Sequence, residues 1–105
     1  MATLTGNTKT DGQPSSTQRV IELDVAMDNS YPTGGEQIAA LDALLSGYTI
    51  VASYADVVDV GGTVRKFKVN KTTKKVQAFA LTDVEVNNGT NLAAYSSVKP
   101  VIVVE

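Results

Sequence analysis

Thr63-Val64-Arg65-Lys66-Phe67-Lys68-Val69-Asn70-Lys71-Thr72-Thr73-Lys74-Lys75-Val76-Gln77-Ala78-Phe79-Ala80-Leu81 is the stretch whose reading decides the fold. Two runs with a period of two flank a polar turn, the pattern of a β-hairpin whose faces differ. A two-residue or a four-residue loop predicts the same register, with Val69 opposite Lys74, Phe67 opposite Val76 and Arg65 opposite Ala78. Phe67, Val69, Val76, Ala78 and Ala80 then share an inward face. Lys66, Lys68, Lys75 and Gln77 share the outer one, with Lys68 directly across from Lys75. Like charges so paired cost up to about 1 kcal/mol unless an acidic group lies between them.

The surrounding chain repeats the strand signal. Ile21, Leu23, Val25 and Met27 alternate with Glu22 and Asp24, a half-buried strand from Arg19 to Met27. Tyr48 to Tyr54 alternates weakly, and Val57, Val58 and Val60 run into Gly61-Gly62, a hairpin dipeptide. Asp83 to Val86 reads as a short strand, Asn87-Asn88-Gly89 as a turn and Val98 to Val104 as a last strand. That last run is apolar on both faces, which suits a buried or partner-covered strand better than an exposed one. One helix interrupts the series. Thr33 and Glu36 have capping-box spacing, Ile38, Leu41, Leu44 and Leu45 follow at helical spacing, and Gly47 is placed to cap the end, predicting about three turns. Fifteen valines and twelve threonines favour pleated structure throughout. The expected architecture is mainly all-β, a β-sandwich or jelly-roll-like domain with one short helix, spanning residues 18–105. Residues 1–17 are turn-rich and without periodicity. They read as an N-terminal arm, flexible or ordered by a partner.

The 105-residue length fits one domain. The chain has no cysteine, histidine or tryptophan, which removes thiolate and imidazole chemistry, disulfides and histidine triads. No catalytic, metal or cofactor site is expected, and the chain reads as a non-enzyme. Glu22 and Asp24 share a strand face as acid–base pairs do, but any solvated strand face offers the same. Asp28-Asn29-Ser30 has oxygens for calcium, yet the run is ordinary turn chemistry. Gly34-Gly35 before a helix lacks the lysine of a phosphate loop. Asn70-Lys71-Thr72 and Asn88-Gly89-Thr90 match a glycosylation pattern with no signal peptide to make use of it. No segment approaches the roughly 18 apolar residues of a membrane span, and the chain reads as made in the cytoplasm.

Net charge is −2, but its distribution is uneven. Residues 1–59 balance at −6, residues 60–82 at +6 and residues 83–105 at −2. The basic segment suggests nucleic acid, against which stand an acidic total, thin aromatic interleaving and the inward placement of Arg65. An acidic protein partner is the sharper expectation. Lys66, Lys68 and Lys75 would meet acidic groups such as Glu22 and Asp24 of a neighbouring copy or of another protein.

Tyr31-Pro32-Thr33-Gly34-Gly35-Glu36 resembles a stretch found in small structural proteins of tailed-bacteriophage heads, the capsid decoration or cement proteins. The likeness continues through Val64-Arg65-Lys66-Phe67-Lys68-Val69-Asn70 and Lys74 to Phe79. It ends at Glu85-Val86-Asn87-Asn88-Gly89-Thr90-Asn91-Leu92, so it covers roughly residues 19–104. The chain lacks the insertion such proteins carry after the second hairpin, and it closes on Val101–Glu105 instead of a glycine-containing tail. The resemblance implies a β-rich virion protein that binds the major capsid protein on the capsid surface, clusters as homotrimers and reinforces the head. It implies no nucleic-acid, membrane or small-molecule partner. A head–tail connector or tail component is the nearest rival. A carbohydrate-binding β-sandwich is a further one, weakened by the scarcity of aromatic platforms.

Overall fold

Among the described residues, alternating β-branched side chains build seven strands that enclose one core from two sides. The computed structural model describes residues 2–11 and 18–105, with the backbone alone for residues 7–11. Strands β1 (Thr3–Asp11), β2 (Arg19–Ala26), β3 (Ile50–Tyr54), β4 (Asp56–Val60), β5 (Thr63–Val69), β6 (Val76–Ala80) and β7 (Val101–Val104) are joined by a single helix, α1 (Ala39–Leu44). One antiparallel sheet has the order β1-β2-β7-β3 and the other the order β4-β5-β6. The domain is mainly β and sandwich-like. Ala55 carries the chain from the first sheet into the second, and the Ser53 hydroxyl donates to the Val69 carbonyl at 2.6 Å between them.

The inward faces follow the alternation. Ile21, Leu23 and Val25 of β2, Ile102 and Val104 of β7, and Phe67, Val69, Val76 and Ala78 of the second sheet are all buried. The Phe67 ring packs on Tyr95 with centroids 5.1 Å apart. The C-terminal strand is central: β7 lies between β2 and β3, which explains a run with apolar residues on both faces. Gly61 and Gly62 close the β4–β5 hairpin, both at positive φ (60° and 87°), the backbone that matches strand twist in a two-residue turn.

The second hairpin differs from its expected register. Val69 pairs with Val76, Phe67 with Ala78 and Lys68 with Gln77. The turn holds six residues instead of four. Lys74 takes a left-handed backbone (φ 60°), and the Asn70 side-chain oxygen accepts from the Thr72 and Thr73 amides at 2.8 and 2.9 Å. A slip of two keeps every residue on its face but changes its neighbour. Lys68 therefore does not oppose Lys75, and the expected repulsion is absent.

Three further expectations are corrected. Residues 3–11 are not an arm: they form β1, paired with β2 from Thr3↔Ala26 to Asp11↔Arg19 with a bulge between Leu4 and Gly6. A strand at a sheet edge needs only backbone pairing, so threonine, glycine and asparagine can form it without apolar periodicity. Residues 12–17 of the expected arm lie outside the described residues. The helix spans six residues, and Ile38 precedes it without a side-chain cap, because Glu36 is committed to backbone pairing with Val76. Residues 83–86 contribute only a bridge from Glu85 to Phe79, not a strand.

Burial predicts the cost of truncation. Ile102→Ala, at a fully buried position, should lose about 2–5 kcal/mol of unfolding free energy. Val51→Thr, on the exposed side of the same sheet, should stay within about 0.5 kcal/mol. Urea denaturation of both variants checks the assignment of the faces.

Candidate functional site

The motif residues meet around one phenol. The hairpin-like turn at Asp28-Asn29-Ser30, in which the Asp28 side chain accepts from the Ser30 amide at 3.0 Å, delivers Tyr31 into the core. The Tyr31 hydroxyl donates to Glu85 Oε2 at 2.7 Å and accepts from the Ala78 amide at 3.1 Å. The same Glu85 oxygen accepts from the Gly34 amide at 3.0 Å, and Gln77 Nε2 donates to the Gly34 carbonyl at 3.2 Å. Burial, reinforced by the adjacent Glu85 carboxylate, pushes the Tyr31 phenol far above its ordinary range, so it remains a donor.

Backbone bonds close the rest of this lock. Tyr31 donates to the Thr90 carbonyl and accepts from the Gly89 amide, and Leu92 donates to the Asp28 carbonyl. Asn88 Oδ1 accepts from the Thr33 amide at 3.2 Å, and Asn91 caps the Ala93 amide at 3.0 Å. Pro32 supplies the carbonyl that holds Gly35 in its turn. Gly35 has φ 112°, and a Cβ there would stand 2.9 Å from the Val76 carbonyl oxygen; only glycine fits. Each residue of Tyr31–Glu36 and Asn88–Leu92 thus has a structural task in the fold.

Glu36 is the buried exception among the charged residues whose side chains are described, at 4% exposure. Its Oε2 accepts from the Ala2 amide at 3.3 Å, which ties the start of β1 to the domain, while Oε1 has no partner among the described residues. Burial pushes its carboxyl above the ordinary glutamate value; the Ala2 amide opposes this and the neighbouring Asp28 charge reinforces it.

The expected interface residues separate into three places. Lys66 and Lys68 lie on the outer face of β5, where Lys66 pairs with Asp83 at 2.7 Å and Lys68 stands 5.1 Å from the Phe79 ring centroid. The ammonium holds the exposed Asp83 carboxyl below the usual carboxylate range. Lys75 lines a different depression with Asp28, Ser30 and Glu36. Glu22 and Asp24 lie on the outer face of β2, with Asp24 accepting from the Ser97 hydroxyl at 2.8 Å. Lys66 and Lys68 are brought together; Lys75 is not with them. Tyr54 and Phe79 share a depression of about 330 Å³ with Lys66 and Lys68. The sequence reading missed Tyr54 there, since only the turn from β3 to β4 brings it across.

Among the described residues no group of three or more acidic side chains could hold a metal, and no helix is long and apolar enough to cross a membrane. No protein-family model, curated protein or solved structure matches the chain.

Two variants test the lock. Tyr31→Phe leaves the Ala78 amide without its acceptor and should cost about 1–3 kcal/mol in urea denaturation. Glu36 makes stability depend on pH with a definite sign. Its folded pKa is raised, so its contribution is full below the ordinary value of 4.5 and is lost as pH rises through the folded value. Unfolding free energy of the native chain should therefore fall over that interval, and Glu36→Gln should flatten the decline.

Proposed function

We propose that the chain is a virion structural protein, a capsid decoration or cement protein that binds the major capsid protein on an assembled phage head and stabilises it, clustering as a homotrimer. The observation that carries the reading is the convergence of the phage-like stretches. Tyr31–Glu36, the Val64–Phe79 hairpin and Glu85–Leu92 stand far apart in sequence yet interlock through Tyr31, Gly34, Gln77 and Glu85.

Composition supports the same reading. A domain without cysteine or histidine, whose recognisable motifs are spent on packing and turns, is suited to work by contact. Segregated charge suits repeated binding in one orientation on an identical lattice.

Electron microscopy of virions that carry the chain tests the proposal. Copies clustered in threes across the outer shell are the expected result. A single ring at one vertex would replace the decoration role with a connector, and absence of the chain from purified particles would overturn the virion reading.

A further inference from the structure

The outer faces of the two sheets carry apolar side chains that none of the described residues covers. In an antiparallel pair, directly opposed residues point to the same side. Across the first sheet this gives one row from Val20 through Val103 to Ala52, and another from Glu22 through Val101 to Tyr54. Across the second sheet, Val57, Lys66 and Phe79 form a row. Val20 and Val51 are each 38% exposed, and Tyr54, Val57 and Leu81 more than half.

Tyr54 joins these faces, because it ends the row on the first sheet and lines the depression of Lys66, Lys68 and Phe79 on the second. Through Tyr54 the row on the first sheet adjoins the depression on the second, and the two form one surface. Its β2 end carries Glu22 and Asp24, its β5 end carries Lys66 and Lys68, and aliphatic and aromatic side chains lie between. Glu22 has no ion-pair partner among the described residues; at the other end Asp83 pairs with Lys66 and also feels the Lys68 charge, so the two ammonium groups share one carboxylate and keep a net positive charge.

The two ends of this surface are complementary to each other, and a second copy of this chain presents both, in a head-to-tail contact that a ring of three can close. We infer that the surface spanning β2, β7, β3 and β5 docks a second copy of this chain, with Lys66 and Lys68 of one copy against Glu22 and Asp24 of the next. The apolar rows supply the affinity, and the opposed charges set the orientation and exclude the reversed one. The inference rests on the self-association part of the proposed function and makes no use of capsid binding.

Charge exchange tests it on the full chain. Sedimentation over a range of concentrations, with circular dichroism to confirm folding, compares the native protein with Lys68→Glu, Glu22→Lys and the double variant. Both positions are exposed, so all three variants should fold. Each single reversal is expected to weaken self-association by about tenfold or more, and the double variant to recover most of that loss. Tyr54→Ser should weaken association without changing thermal stability. A native protein that stays monomeric up to millimolar concentration, or a double variant no better than the single ones, overturns the inference. Copies found on virions despite that failure would remove this contact and leave the capsid reading standing. Rescue by the double variant of a chain absent from virions would do the reverse.

Discussion

The hydroxyl of Tyr31 is the constraint on which the rest of the domain depends. It is buried, burial pushes its ionisation well above the ordinary phenol range, and it must both donate and accept. Glu85 and the Ala78 amide answer those two needs from segments 54 and 47 residues away in the chain. The Glu85 carboxylate then has lone pairs to spare, and the Gly34 amide uses one. A buried polar group of this kind is costly when partly satisfied and ordering when fully satisfied. It holds the loop before α1, the edge of β6 and the loop after it in one arrangement. That arrangement aligns Glu36 with Val76 and seals the free side of the second sheet.

Sealing that side determines which surfaces are left for contact. β6 is covered by the motif loops, β2 by β1 and β7, and the sandwich interior by both sheets. Among the described residues, the outer side of the β2-β7-β3 layer and of β5 remains open. There the acidic and basic segments of the sequence arrive on either side of an apolar middle. The same interactions that close the fold therefore decide which of the described surfaces stay open.

Much of the architecture was legible in the residues. The inward set of β2, the Gly61-Gly62 turn and both faces of the second hairpin follow from period-two alternation, a local property. The hairpin register was not, because it hinges on Lys74 adopting a left-handed backbone that its residue type does not announce. β1 was missed because an edge strand of threonines and glycine draws its order from β2 and from the Glu36 contact to Ala2. The capping box failed for a related reason. Thr33 and Glu36 had the right spacing, but Asn88 and Val76 compete for their backbone groups and win.

By itself the sequence determined a mainly β domain, its inward residues, its lack of thiol and imidazole chemistry and its separated charges. These depend on residue type and near-neighbour spacing alone. Only the tertiary structure decided that Lys66 and Lys68 share a face with Tyr54 and Phe79, that Lys75 does not, and that the C-terminal valines are central. Each of those outcomes turns on strand register and on hydrogen bonds between distant segments. Such bonds form only where several weak local preferences can be satisfied together.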